Sequence, residues 1–175
     1  VCAGAGGKTL HLSALMQNKG SLIAMDIYES KLKKLKVRAK RNGAHNIDLR
    51  LINSTKPIKK LKEKADRLLI DAPCSGLGVL RRNPDSKWKL KSEFLDKIKK
   101  TQQHILQDYS KILKPGGKMV YATCSVLPSE NQEQIAKFIA SEEGRQFKLI
   151  KEKKIFAHKS GYDGFYMALL EKPIQ

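Results

Sequence analysis

Short continuous runs of Ile, Leu, Val and Met alternate along this chain with longer stretches in which apolar residues recur every third or fourth position. Residues 21–26 (SLIAMD), 47–51 (IDLRL), 67–71 (RLLID) and 118–123 (KMVYAT) have the length and composition of buried strands, and 165–170 (FYMALL) predicts one more. Residues 9–18, 29–42, 92–113 and 129–140 carry helical spacing. The punctuation agrees: Asn42-Gly43 and Lys114-Pro115-Gly116-Gly117 stop helices, and Pro128-Ser129-Glu130 starts one. Residues 148–160 are basic and poor in pattern, and read as a loop or irregular edge. Strand and helix alternation of this kind predicts an α/β fold, a mostly parallel sheet with helices on both faces. A doubly wound sheet needs a central first strand leading into its glycine-rich turn. That strand is expected to be missing here, its place lying between the strands that end at Asp26 and Asp71.

Charge sharpens this picture. A chain of 175 residues suffices for one domain with a core of its own, and 41% apolar with 30% charged residues are globular proportions. No apolar run approaches the ~20 residues of a bilayer span, which excludes a helical membrane protein. The 35 basic against 17 acidic side chains leave a formal charge of +18. Such an imbalance points to polyanionic partners, nucleic acid before an anionic membrane surface. Three cysteines far apart form neither a disulfide framework nor a zinc-ligand pattern, so a reducing, cytoplasmic setting is expected. His11, His45, His104 and His158 show no metal or triad spacing, and no metal is expected.

Cys2-Ala3-Gly4-Ala5-Gly6-Gly7-Lys8-Thr9 opens the first helix. Small residues there let a backbone approach a ligand closely, and a helix N-terminus offers N–H groups to an anionic or polar end. The run is neither GxGxxG nor GxxxxGKT, so neither a dinucleotide fingerprint nor a P-loop follows. Asp26 ends the next strand, where folds of this kind hold a ribose hydroxyl pair. A strand-terminal Asp also serves as a helix N-cap.

Asp71-Ala72-Pro73-Cys74-Ser75-Gly76-Leu77-Gly78 follows one strand and Thr123-Cys124-Ser125 another. Both cysteines therefore project at the carboxyl edge of the sheet, where open α/β folds bind ligands. A cationic surround and a helix starting near Ser129 would lower a thiol pKa and favour the nucleophilic thiolate. A buried cysteine can equally be an inert small hydrophobe.

These segments carry a resemblance. Cys2 to Thr9, Asp71 to Gly76, and Tyr121-Ala122-Thr123-Cys124-Ser125 with Glu130-Asn131 resemble the motifs of S-adenosylmethionine-dependent RNA (cytosine-5) methyltransferases, the family of bacterial ribosomal and eukaryotic NOP2/Sun-type enzymes. Residues 161–170 (GYDGFYMALL) are similar to that family's closing strand, and Leu80-Arg81-Arg82-Asn83-Pro84-Asp85 with Lys87-Trp88 to its 16S rRNA methyltransferase B branch. The resemblance implies a class I methyltransferase (Rossmann-like) fold, with residues 1–175 an N-terminally truncated catalytic domain and an RNA-binding domain outside it. It implies methyl transfer from S-adenosyl-L-methionine to C5 of a cytosine in ribosomal RNA, 16S first, through a covalent cysteine–C6 adduct. Cys124 inherits the nucleophile's role, Cys74 that of releasing product, and Asp71 that of hydrogen-bonding the base. Cofactor contacts fall to Cys2, Ala3, Gly4, Ala5, Gly6, Gly7, Lys8, Asp26, Asn53 and Asp71. Two departures stand out: Gly4-Ala5-Gly6-Gly7 replaces the commoner Ala-Pro-Gly-Gly, and Asn53 stands where the family has an aspartate. A transfer-RNA substrate and a non-catalytic RNA-binding fragment are the alternatives.

Lys31, Lys33, Lys34, Lys36, Arg38, Lys40 and Arg41 crowd one helix, while Lys56, Lys59, Lys60, Lys62 and Lys64 form a second cluster. Both read as solvated faces. Arg81, Arg82, Lys87 and Trp88 follow the Pro-Cys loop directly and are the expected RNA contacts, with Trp88 either a stacking face or an anchor in the core. A monomer is the expected state.

Overall fold

A computed structural model describes residues 1–174. The elements run α1 (Gly7–Leu15), β1 (Leu22–Asp26), α2 (Glu29–Arg41), β2 (Ile47–Leu51), α3 (Lys56–Leu61), β3 (Ala65–Asp71), α4 (Ser86–Lys89), α5 (Ser92–Ser110), β4 (Leu113–Thr123), α6 (Gln132–Ile139), β5 (Lys148–Ile155), α7 (Ala157–Ser160) and β6 (Phe165–Glu171). Single 3-10 turns occupy Leu77–Val79 and Pro128–Glu130. The chain divides into two compact units, Val1–Lys60 and the part from Leu61 onward.

In the first unit β1 and β2 pair in parallel, with Leu22 opposite Ile47 and Asp26 opposite Leu51. The core gathers Ala24, Leu32 and Leu35, with Ala3, Leu10, Leu22, Ile47, Leu49 and Leu51 packed around them. α2 shows why its sequence is a helix: Leu32, Leu35 and Ala39 form one buried stripe, and almost every other position is Lys or Arg. Glu29 in its first turn and Arg38, Lys40 and Arg41 in its last complement the helix dipole. Gly43, at φ +62°, supplies the left-handed exit. The basic residues of α2 and of the 56–64 cluster are exposed, as solvated faces are.

In the second unit the strand order is β3-β4-β6-β5. β3 and β4 are parallel, whereas β6 runs antiparallel to both β4 and β5. Leu68, Ile70, Met119, Tyr121, Tyr166, Ala168 and Leu170 are buried along the strands, and Leu106, Ile135 and Phe138 are buried on α5 and α6. α5 packs on β3, β4 and α6. Each large side chain buried in this way contributes about 1.5–3 kcal/mol.

The predicted elements recur within about five residues at each end; the short helices α3 and α4 are additional, and three further differences stand out. Residues 148–160, expected as a loop or irregular edge, contain β5 and α7. β5 is an edge strand whose residues are nearly all exposed, with a register slip between Leu149 and Lys151. A strand with no buried face shows no alternation, and its lysines suit an edge that must not pair further. Secondly, Lys114-Pro115-Gly116-Gly117 lies inside β4, after α5 has already ended at Ser110. The register jumps there from Ala65↔Leu113 to Arg67↔Lys118, and the Gly116 N–H donates to the Lys172 carbonyl at 2.7 Å. Thirdly, residues 1–6 form a turn, and the described strands fall into two sheets, β1-β2 and β3-β4-β6-β5.

Candidate active site

The glycine-rich turn belongs to the first unit. Cys2, Gly4 and Gly6 have positive φ (59°, 57° and 91°), so the chain alternates handedness across the turn. Such alternation bends successive N–H groups into an anion-holding concavity. Here the anion is a side chain of the protein: the Gly4 N–H donates to Asp26 Oδ2 at 2.7 Å, and the Tyr28 N–H to Asp26 Oδ1 at 2.9 Å. Asp26 is thus buried at the end of β1 as the tie between turn and strand, and it makes no N-cap side-chain bond to α2. Arg38 of α2 donates to the Ala5 carbonyl at 2.7 Å, and the Leu10 N–H to that of Gly6 at 2.9 Å. Glycine suits position 6, where φ is left-handed and a Cβ would sit 2.0 Å from Leu35 Cδ1, so that Leu35 would have to repack. At Gly4 and Gly7 the space is open, with no atom within 4 Å of where a Cβ would stand.

That open cradle fits the close approach of a ligand such as S-adenosylmethionine. Each Asp26 oxygen accepts one N–H bond, and a carboxylate oxygen has room for a second, so acceptors remain for a hydroxyl pair. Asn53 lies two residues beyond β2 and is exposed. Lys8 is exposed in the first turn of α1.

The cysteines lie in the second unit, at the carboxyl ends of its parallel pair β3 and β4. Their sulfurs are 3.3 Å apart, which the sequence separation of 50 residues gives no hint of. None of the three cysteines forms a disulfide. Asp71, the last residue of β3, stands opposite Ala122 on β4 and is half-buried. The Cys74 thiol is pushed far above the ordinary cysteine range, first by its hydrogen bond with Cys124, then by burial and by the charge on that neighbour. Glu130 pushes the same way, and only the Gly76 N–H opposes. For Cys74 this corrects the expectation that a cationic surround would lower a thiol pKa: the groups acting on it are a second sulfur and a carboxylate.

Beneath the sulfurs lies a polar cluster that sequence spacing does not reveal. Glu130 is wholly buried, and its Oε1 accepts from the Ser75 N–H at 2.8 Å and from Gln102 Nε2 at 3.1 Å. Its Oε2 accepts from the hydroxyls of Ser75, at 2.5 Å, and Ser125. Thr123 donates to Asn131 Oδ1 at 2.6 Å, and Asn131 Nδ2 to the Ser125 carbonyl at 2.9 Å. The Glu130-Asn131 pair is visible in the sequence as part of a motif. A buried carboxylate, however, leaves no periodic signature.

Three loops meet over this cluster. The Gly78 N–H donates to the Cys124 carbonyl at 2.8 Å, and the Gly164 N–H to the Gly78 carbonyl at 2.7 Å. A Cβ on Gly78 would lie 2.2 Å from the Gly164 oxygen, so the contact exists only because that residue is glycine. Arg81 donates to the Gly161 carbonyl at 3.0 Å, and Arg82 reaches Asp163 Oδ2 at 2.5 Å. The two arginines expected to meet RNA are therefore also braces for the loop before β6. Their side chains are 67% exposed, and each guanidinium has further donors for a phosphate. Trp88 is 81% exposed on α4, with the Lys87 ammonium 4.8 Å from its ring centre. It does not anchor the loop in the core. Among the described residues no cluster of His, Cys, Asp or Glu could hold a metal ion, and no helix is long and apolar enough to cross a membrane.

The family model described as 16S rRNA methyltransferase RsmB/F matches residues 1–171. The ribosomal RNA small subunit methyltransferase B of Proteus mirabilis (strain HI4320) is 36% identical over 173 residues, which cover 98% of this chain and 40% of that protein. The tRNA (cytosine(72)-C(5))-methyltransferase NSUN6 of Mus musculus is 40% identical over 148 residues, covering 78% of this chain and 30% of the mouse protein. The crystal structure of NSun6 from Pyrococcus horikoshii with SFG superposes with a TM-score of 0.85 at 29% identity, over 98% of this chain and 46% of that one. The chain thus spans less than half the length of each of these three relatives.

Proposed function

Because this chain belongs to the 16S rRNA methyltransferase RsmB/F family, we propose that it is the catalytic part of an S-adenosylmethionine-dependent RNA methyltransferase acting on C5 of cytosine. The observation that carries the reading is the pair of sulfurs 3.3 Å apart at the ends of two parallel strands. C5 of cytosine is too weak a nucleophile to take a methyl group unaided. Addition of the Cys124 thiolate to C6 forms a C–S bond and pushes the electrons of the 5,6 double bond toward C5 and the ring. S-adenosylmethionine supplies an electrophilic methyl on a sulfonium. Once C5 carries the methyl, transfer of the C5 proton to a base, for which solvent water suffices, restores the double bond and expels the Cys124 sulfur as thiolate.

The environment distinguishes the two cysteines. Cys74, held protonated, can donate its S–H toward Cys124, and a donor to sulfur stabilises charge there. Cys124 is then the nucleophile, and Cys74 stands where a proton is exchanged as the adduct breaks down. Asp71 hydrogen-bonds the base and balances the charge that develops on addition. The turn from Cys2 to Lys8, Asp26 and Asn53 hold the cofactor, with Asp26 taking its hydroxyls. Arg81, Arg82 and Lys87 meet phosphates, and Trp88 offers a stacking face.

Covalent trapping tests the reading. RNA substituted with 5-fluorocytosine is mixed with S-adenosylmethionine and the protein; fluorine cannot leave as a proton does, so the adduct persists on a denaturing gel. A slow band that survives Cys74→Ser and vanishes in Cys124→Ser is expected. Loss of the band in Cys74→Ser alone would reverse the two roles. No band with any RNA, despite binding, would leave a non-catalytic RNA-binding module. The named relatives favour ribosomal RNA and, through the mouse protein, transfer RNA as a second reading. Modified-base content of both RNA pools in a deletion strain separates these substrates.

A further inference from the structure

We propose that Glu130 is a positioning residue for the reaction: its buried carboxylate clamps the two cysteine loops to each other and thereby sets the distance and the shared proton of the Cys74–Cys124 pair. The inference rests on the cysteine chemistry proposed above and adds a residue to it. Its basis is where the four hydrogen bonds come from. Two come from Ser75, one from Ser125 and one from Gln102. Ser75 directly follows Cys74, and Ser125 directly follows Cys124. One carboxylate therefore grips the residue next to each sulfur.

The two grips are alike in construction. The Leu77 N–H donates to Ser75 Oγ at 3.4 Å, and the Leu127 N–H to Ser125 Oγ at 3.1 Å. Each hydroxyl thus accepts from the amide two residues on and passes its own hydrogen to Glu130. Gln102 braces the arrangement from α5, its Nε2 also donating to the Pro73 carbonyl at 2.9 Å. The Tyr121 hydroxyl donates to the Glu130 carbonyl at 2.9 Å and fixes the backbone of the clamp. Four donors fill the acceptor capacity of an ionised carboxylate. Burying such a charge costs several kcal/mol unless it is fully hydrogen-bonded, and plain packing would not require a carboxylate at this point.

Charge gives the clamp a second effect. Cys124 and Glu130 are the groups whose charge acts on Cys74, and both keep it protonated. Lys99 on α5, hydrogen-bonded to Asp96, is a cation that also feels Glu130. Removing the Glu130 charge while keeping its shape should therefore ease ionisation of the thiol pair.

Glu130→Gln does this. Its Oε1 still accepts from Ser75 and Gln102, but its amide NH2 now faces two serine hydroxyls that donated to the carboxylate, so both must turn their hydrogens away and the grip on the two cysteine loops loosens. Alkylation of Cys74 and Cys124 by iodoacetamide is followed by mass spectrometry from pH 6 to 10, alongside adduct formation with 5-fluorocytosine RNA. The expected result is a profile displaced to lower pH, with roughly threefold or faster alkylation at pH 8 and adduct formation at least about tenfold slower. Ser125→Ala, which releases one grip and keeps the charge, is expected to slow adduct formation without moving the profile. A Glu130→Gln profile and adduct rate equal to wild type would overturn the assignment. Wild-type protein that forms no adduct at any pH would instead overturn the cytosine-5 reading beneath it, so the two failures are distinct.

Discussion

Replacing Gly78 by Ala tests whether the cysteine site is as tightly interlocked as its geometry says. The added methyl would lie 2.2 Å from the Gly164 oxygen, 2.7 Å from the Gly164 carbonyl carbon and 2.7 Å from the Cys124 oxygen. All three are backbone atoms, so no side chain can swing aside. Ordinary contact requires the neighbouring loops to retreat by about 1 Å. Overpacking of that kind costs ~1–3 kcal/mol. Weakening the Gly78–Cys124 and Gly164–Gly78 hydrogen bonds adds up to ~1 kcal/mol each. A loss of about 3 kcal/mol would lower Tm by roughly 6–12 °C in a chain of this size. Movement of the Cys124 backbone by about 1 Å would also slow adduct formation on the order of 100-fold. Gly76→Ala is the control: φ is +75° there, but the nearest atom is Val79 Cγ2 at 3.8 Å, so the cost is left-handed strain of ~1–2 kcal/mol without a clash. Thermal melts and the trapping gel are run on both variants. If Gly78→Ala melts no lower than Gly76→Ala and traps RNA at the wild-type rate, the three loops are not locked together as described.

Two further outcomes are open to measurement. Asp26→Asn leaves one carbonyl oxygen to serve the two N–H donors of Gly4 and Tyr28. Losing one charge-assisted bond, ~1.5–3 kcal/mol, should weaken S-adenosylmethionine binding about 10- to 100-fold by isothermal titration; an unchanged Kd would remove Asp26 from the cofactor site. The raised thiol of Cys74 makes stability fall with alkali. Below the ordinary cysteine pKa both states keep the proton and the contribution is whole, whereas above about pH 9 the unfolded chain releases a proton that the folded one retains. The loss is at most ~1.4 kcal/mol per pH unit, and Tyr166, raised by burial and by its bond to Glu152, adds to it above about pH 10. Urea midpoints at pH 8 and 10.5 should converge more closely in Cys74→Ser than in wild type; equal slopes would refute the account.

Elements with a buried face are legible in the sequence. The strands ending at Asp26, Asp71 and Thr123 are apolar because their side chains are buried, and the stripe of Leu32, Leu35 and Ala39 is plain amid lysines. β5 leaves no trace in the pattern because it buries almost nothing, and α3, α4 and α7 are too short for helical period to register. The cysteines, the glycine turn and Asp26 stand out as motifs. Their partners do so less, since the roles of Glu130, Gln102 and Asp163 are set by contacts between residues far apart in sequence. Arg81 and Arg82 read as phosphate ligands from charge alone, whereas Asp163, some eighty positions away, also uses them to hold its loop.

The order β3-β4-β6-β5 has a consequence for how a ribosome delivers this protein. β5 emerges about ten residues ahead of β6, and among the described strands β6 is its sole partner. Until residues 165–171 are made, this eight-residue segment has no strand to pair with among those described, and Lys148, Lys151, Lys153 and Lys154 are charges of the kind that disfavour pairing with another chain. Gly164, which closes on Gly78, arrives in the same interval. A polypeptide halted before that point carries both cysteines and their Glu130 clamp but lacks the Gly164–Gly78 bond that ties the third loop to them. The closing of the third loop is thereby deferred until synthesis has reached β6.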